Sequence, residues 1–468
     1  MASKFIQERY NNLEVVDITT HGKGVVKSQH GKVIFVSGVI PGDKVNIETY
    51  KKRRGYFEAN LIEIIEPSLN RVAPKCEHFG VCGGCKWQNM SYEAQLHFKQ
   101  KEISHNLKNF SGMIIPEIEE IHASPKHYFY RNKMEYTFSD QRWLTSEEIT
   151  NKSLPIEKKG LGFHKAGMWD KVVDIQQCHL QPEPANKIRN AIKIFALENG
   201  LDFFNPREQK GFLRSLMIRN SSLGEFMVLI QFFKENKAQR IALLEHLKKH
   251  FDITSLLYCI NSKANDTLYD QEIICHDGKT YITEKMEGLN FKINAKSFFQ
   301  TNTEQTYELY KIARDFAGLK GKELVYDLYT GTGTIAQFIA KDCCKVVGVE
   351  SVPVAIEAAN INAKENGVKN TFFEVGDMRK VFNQDFINRY GKADVVIADP
   401  PRNGMHPAVV KQLLCLRPEK IVYLSCNPAT QARDLFLMKE HYKLVRSKAI
   451  DLFPQTQHVE NVVLLKKI

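Results

Sequence analysis

No stretch of this sequence holds enough consecutive apolar residues to cross a bilayer. Met1 to Asn12 lack the apolar core of a signal peptide. Internal repeats and low-complexity segments are missing as well. These absences exclude a helical membrane protein and a repeat array, and the expected location is cytoplasmic. Disulfides are not expected in that compartment, so a tight group of cysteines reads as a metal site or as catalytic.

What is present is an ordinary globular composition, 43% apolar and 25% charged, in 468 residues. That length is room for roughly three domains. Lys and Arg number 65 against 54 Asp and Glu, a formal charge of +11, which favours a polyanionic partner. The basic runs Lys51–Arg54 and Lys248–His250 fit nucleic-acid contact or solvated faces about equally well.

Residues 13–65 alternate apolar and polar positions between glycine-containing turns. About five short strands in so few residues predict a small closed barrel of the OB kind. Such barrels bind single strands through basic faces with exposed aromatics, and Lys51–Arg54 followed by Tyr56 and Phe57 fits that. Pro67–Pro74 reads as a linker. Residues 75 to about 290 are mixed, with a cysteine cluster, a helix near 91–110 and several strand-like runs. From about 320, five apolar runs ("ELVYDL", "KVVGVE", "TFFEV", "DVVIAD", "KIVYLS") alternate with helical stretches. The alternation predicts a doubly wound α/β domain closed by the hairpin-like "YKLVRSKAIDLF" and "ENVVLLKKI".

In that domain the first strand runs into "YDLYTGTGTI", where Gly331 and Gly333 permit a tight turn close to a ligand. Glu350 ends the second strand, 23 residues after Asp327, and is placed to accept from ribose hydroxyls. Asp377 follows the third strand, where an adenine edge would lie. There is no pyrophosphate-type GxGxxG loop, which favours S-adenosylmethionine over a dinucleotide. The fourth strand ends at Asp399-Pro400-Pro401-Arg402. Amino-group methyltransferases use a similar turn with an aromatic after the prolines, and Arg402 in its place argues against amino-nitrogen chemistry. The fifth ends at Ser425-Cys426, ahead of a helix starting near Ala429. By type Cys426 is a packing residue. By position it faces the cofactor edge, where a helix N-terminus and a nearby Arg are expected to favour thiolate.

The motifs "FFQTN" (Phe298–Asn302), "DLYTGTGTI", "DPPRNG", "SCNPAT" and "HVENVVLL" together resemble the RNA uracil-C5 methyltransferase family. The resemblance extends to the N-terminal barrel, similar to a TRAM domain, and to the cysteine cluster. It implies a Rossmann-like α/β methyltransferase domain with a seven-stranded sheet at 291–468, a TRAM or OB-like RNA-binding barrel at 1–66, and a mixed α+β central domain at 67–290. It further implies S-adenosylmethionine-dependent methylation of a uridine in RNA, with 23S ribosomal RNA as the expected target, and a monomer. By motif match Cys426 is the nucleophile and Glu460 the base. Gln300, Tyr329, Glu350 and Asp399 match cofactor positions, with Asp377 a further adenine contact. Two departures stand out: Thr330 where many relatives have cysteine, and Gln431 in place of an apolar residue. The segment Tyr130–Phe138 resembles an RNA-facing stretch of the family, although alternation alone makes it an amphipathic strand.

Cys76, Cys82 and Cys85 are separated by five and two residues, and Cys178 is the best candidate for a fourth ligand. Residue type alone suggests zinc. The resemblance implies a [4Fe–4S] cluster instead. Cys259, Cys275, Cys343, Cys344 and Cys415 have no partner at useful spacing and read as packing residues. Alternatives are a tRNA uridine-C5 methyltransferase, a cytosine-C5 enzyme, and a non-catalytic RNA-binding ribosome-assembly protein. A cytosine enzyme would usually carry a second cysteine near the Asp399 turn, and none is there.

Overall fold

A computed structural model of the chain describes residues 7–150 and 156–468. The N-terminal alternation becomes a closed barrel of five strands: β1 (Arg9–Ile18), β2 (Gly24–Lys27), β3 (Val33–Val36), β4 (Lys44–Lys52) and β5 (Phe57–Glu66). Alternate residues such as Val45 and Ile47 point inward onto Val15, Val26 and Ile34. Gly24 is required at the seam, because a Cβ there would lie 2.4 Å from Val39 Cγ2 and 2.8 Å from Val15 Cγ1.

The expected helix near 91–110 runs Tyr92–Phe110, with Ser91 Oγ accepting from Ala94 N as its N-cap. It is followed by β6 (Glu119–His122). A seven-stranded sheet then forms from β7 (Lys133–Ser139), β8 (Gly160–His164), β9 (Val172–Asp174), β10 (Leu213–Asn220), β11 (Phe226–Phe232), β12 (Ser255–Ile260) and β13 (Ile274–Gly278). One face of this sheet packs on the helices Ala185–Glu198 and Lys237–His250 around Tyr136, Phe138 and Leu216. A hairpin, β14 (Tyr281–Met286) and β15 (Leu289–Asn294), leads into the catalytic region.

The last sheet contains β16 (Leu324–Leu328), β17 (Lys345–Glu350), β18 (Thr371–Val375), β19 (Val395–Ala398), β20 (Lys420–Ser425), β21 (Tyr442–Ile450) and β22 (Glu460–Lys467). Its order is β18-β17-β16-β19-β20-β22-β21-β6. The first five in that order are parallel neighbours, and β22 is antiparallel to both β20 and β21. The expectation of seven strands is therefore short by one, because β6, far upstream in sequence, pairs in parallel with β21. Burial of nonpolar side chains on both faces makes two cores. The helix Tyr92–Phe110 contributes Ile103 and Leu107 to one of them. The same helix buries Lys99, whose Nζ pairs with Asp451 Oδ1 at 2.7 Å with both side chains fully enclosed. Residues 92–122, within the stretch expected to be central, thus pack on the catalytic sheet. Among the described residues no helix is long and apolar enough to cross a membrane.

Candidate active site

The parallel strands β16, β17, β19 and β20 present their C-terminal ends at one edge, and the order reverses between β16 and β19. Ligands of open α/β sheets bind at such a switch point. At its floor Asp327 accepts from Thr330 Oγ1 at 2.5 Å and from Ala336 N at 3.1 Å. Thr330 thus staples the loop to the strand. Burial pushes the Asp327 carboxyl up to about 7, and its Oδ1 has no partner. Tyr329 sits at φ +62°, a left-handed conformation that bulky side chains rarely adopt and that is typical of functional turns. A Cβ on Gly331 would meet nothing within 4 Å, so space is open beside the loop. Glu350 caps that space, accepting from Gly331 N at 3.3 Å and Ser351 N at 2.7 Å. Asp377 lies at the end of β18 with its carboxylate held by Arg379, which keeps it down at about 2. An acid at the end of β17 and an open glycine loop fit the nucleoside part of S-adenosylmethionine.

Asp399 follows β19 and is hydrogen-bonded by the Gln300 side chain, while burial raises it to about 7. Gln300 is itself fixed from the central sheet: Asn132 Nδ2 donates to its carbonyl at 2.9 Å, and Asn132 N donates to Thr301 O at 2.8 Å. Sequence reasoning did not single out Asn132, because its partner lies 168 residues away.

Strand register explains the remaining pair. Ser425 of β20 pairs with Asn461 of β22. Antiparallel pairing places the next residue of one strand opposite the previous residue of the other, so Cys426 and Glu460 face each other at the same edge. Cys426 is pushed up to about 12 by burial and by the charges of Glu460 and Asp399, which outweigh the opposing Arg402. Arg402 thus acts in the expected direction, toward thiolate, but is outweighed. The helix Pro428–Met438 does not reverse this, since its first N–H groups at Ala429 and Thr430 donate to Asn427 Oδ1. Glu460 is almost fully buried and lies well above the usual carboxylate range, through burial and the neighbouring Asp399. His458, two residues earlier, is pushed down to about 4 by burial and by Arg402.

Gln431, the departure from an apolar residue, proves to be a connector. Its Nε2 donates to Tyr423 O at 3.0 Å and Asn461 O at 3.2 Å, and its Oε1 accepts from Asn461 Nδ2 at 2.8 Å. Fully buried, it ties the helix after Cys426 to both β20 and β22, which lead to Cys426 and Glu460.

The four candidate ligands Cys76, Cys82, Cys85 and Cys178 are all free thiols and lie near enough for their charges to interact. Cys82, Cys85 and Cys178 each sense the charge of Cys76, and burial raises all three, Cys82 to about 11 and Cys85 to about 12. Among the described residues no group of three or more His, Cys, Asp or Glu side chains could hold a metal ion. The donor set is nonetheless the one iron–sulfur clusters use. Immediately after Cys85, Lys86 N and Trp87 N both donate to Gln455 O, at 3.0 and 3.1 Å. Gln455 precedes Glu460 by five residues.

Residues 224–468 match the sequence family described as tRNA (Uracil-5-)-methyltransferase. The chain is 48% identical over 453 residues to an "Uncharacterized RNA methyltransferase" of Bacteroides thetaiotaomicron, covering 96% of this chain and 100% of that one. It is likewise 48% identical over 461 residues to another of the same description from Porphyromonas gingivalis, covering 97% and 99%. Among solved structures it is similar to the Pyrococcus abyssi tRNA (uracil-54, C5)-methyltransferase in complex with S-adenosyl-L-homocysteine. The TM-score is 0.76 and the identity 29%, over 98% of this chain and 100% of that one.

Proposed function

Because the chain belongs to the RNA uracil-C5 methyltransferase family, a group of S-adenosylmethionine-dependent transferases, we propose that it methylates carbon 5 of a uridine in 23S ribosomal RNA, with Cys426 as nucleophile and Glu460 as base. The observation that supports this best is the register of β20 and β22, which sets a thiol and a carboxyl face to face beside Asp399.

Carbon 5 of uracil is too weak a nucleophile to take a methyl group unaided. Cys426 Sγ adds to carbon 6, and the electron pair of the 5,6 double bond moves into an enolate whose carbon 5 is nucleophilic. Gln300, Tyr329, Glu350, Asp377 and Asp399 are the residues that would hold S-adenosylmethionine, which supplies the electrophilic methyl group. Glu460, as carboxylate, then removes the proton from carbon 5, the double bond reforms, and the Cys426–carbon 6 bond breaks. For addition to begin, the Cys426 proton must pass to water. Arg402 is the cationic side chain that favours this, opposing Asp399 and Glu460. The target base has to leave its stack, at a cost of a few kcal/mol that is smallest in loops and bulges.

Cys76, Cys82, Cys85 and Cys178 are assigned as ligands of a [4Fe–4S] cluster, and the N-terminal barrel as a TRAM-like RNA-binding unit. The resemblance to the ribosomal branch of the family is what supports ribosomal over transfer RNA. The Pyrococcus neighbour acts on tRNA by name, which keeps tRNA as the second reading. Mapping 5-methyluridine in both RNA classes from cells lacking the gene decides between them: loss from 23S RNA is expected, and loss from tRNA alone overturns the ribosomal assignment. Iron and acid-labile sulfide in anaerobically purified protein test the cluster, and zinc without sulfide would refute it.

A further inference from the structure

A cavity of about 180 Å³ opens on the central sheet, away from Cys426 and the cofactor loop. Its floor is Thr137 of β7 and Ser215 of β10, which are cross-strand partners. Its walls are the loops 204–209 and 264–266. Both walls are locked. Arg214 donates to Asn261 O, Lys263 O and Ala264 O at 2.6–3.2 Å, and its guanidinium lies 4.8 Å from the centre of the Phe204 ring. Asn205 Oδ1 accepts from Arg207 N and Glu208 N, both at 3.0 Å.

At the mouth stands Trp169, with 64% of its surface exposed. Arg207 lies over its ring at 5.9 Å, held there by an ion pair to Asp170 at 2.6 Å. An indole left in water beside a guanidinium plane and a preformed slot is a stacking platform for a planar heterocycle. The polar lining adds acceptors: the Asp266 carboxylate, and His164, whose Nε2 lies 3.3 Å from Thr137 Oγ1.

The cavity is in line with the reaction centre. Met134, Tyr136 and Phe138 of β7 point into the core, so Lys133, Glu135 and Thr137 line the opposite face. On that same face Lys133 pairs with Arg219, whose guanidinium donates to Asn294 O and Ser297 O, just before Gln300. From Lys133 to Thr137 an extended strand spans roughly 13 Å, a few nucleotides of a single strand.

We infer that this cavity receives a second, unstacked nucleobase of the RNA, one carrying an exocyclic amino group, near the uridine being modified. Trp169 and Arg207 stack on it and Asp266 accepts from its amino group. The inference rests on the reading of RNA as substrate.

Oligo(A) is the direct probe, since it contains no uracil to occupy the reaction centre. It should quench tryptophan emission of the native protein more than oligo(U) does at equal concentration. Trp169→Phe should remove that response, and Ser215→Phe, which fills the floor, should weaken it. In methyl transfer to long RNA, Trp169→Ala should raise KM about tenfold or more and leave kcat unchanged. Asp266→Ala, which removes the acceptor, should erase the preference for oligo(A). Quenching that survives in Trp169→Phe, or an unchanged KM in Trp169→Ala, overturns the inference. Failure of the unaltered protein to methylate any RNA sinks the functional reading instead, while oligo(A) quenching through Trp169 would still report the cavity.

Discussion

Cys426 and Glu460 stand opposite each other because Ser425 pairs with Asn461 across two antiparallel strands. The proposed nucleophile follows the end of one strand and the proposed base starts the other. Their separation is thus set by backbone hydrogen bonds rather than by flexible loops.

That arrangement separates two steps. With RNA containing 5-fluorouracil, fluorine cannot leave as a proton does, and the native protein should accumulate a covalent adduct in the presence of S-adenosylmethionine. Cys426→Ala should form none on a denaturing gel. Glu460→Gln should still form the adduct with ordinary uracil RNA but release it slowly, lowering turnover by about 10²-fold or more. Normal turnover in Glu460→Gln would rule out the base assignment.

The thiol of Cys426 is held near 12 partly by the charge of Asp399. Removing that charge favours thiolate. Asp399→Asn should therefore alkylate faster with iodoacetamide at pH 9, where the native Asp399, raised only to about 7, is ionised. Mass spectrometry of the Cys426 peptide reads the rate, and slower labelling would contradict the electrostatic account.

Asp327 binds its proton more tightly folded than unfolded, about 7 against 3.8. The folded state then carries more protons between those values, so this group's contribution to stability is present below pH 3.8 and is lost as pH rises toward 7. Asp327→Asn does not titrate. Its melting temperature should fall less steeply than that of the native protein between pH 4 and 7.

Lys99 and Asp451 are both fully enclosed. Lys99→Met leaves a buried carboxylate without its cation and should cost about 3–5 kcal/mol, seen as an early denaturant transition. Gln431→Leu should cost about 1–3 kcal/mol by stranding Asn461 Nδ2, and Gln431→Leu with Asn461→Val should recover part of that loss.

Much of this architecture was legible beforehand. Short alternating runs between turns can bury one face only by closing, and they formed the barrel. The five apolar runs after residue 320 became β16 to β20 in the expected sequence order. Asn366 caps the helix Pro353–Glu365, and Gly367 follows it at φ +66°, a conformation glycine adopts without strain. What could not be read were contacts between distant segments. "EEIH" is too short and polar to announce β6, and it is a strand because β21 offers an edge. Gln431 showed only as a departure from an apolar residue, because its partners lie on two strands, one of them 30 residues on. Arg402 acts on Cys426 in the expected direction, but burial and the acids Glu460 and Asp399, remote in sequence, outweigh it.

The parallel pairing of β6 with β21 has a practical consequence for dissecting this protein. A fragment beginning at residue 291 would keep every residue assigned to chemistry, yet lose the strand that covers one margin of its sheet and the ammonium that neutralises Asp451. Bare sheet margins recruit other chains. Such a fragment should aggregate when expressed alone, and adding residues 92–122 on a separate polypeptide should bring it back into solution.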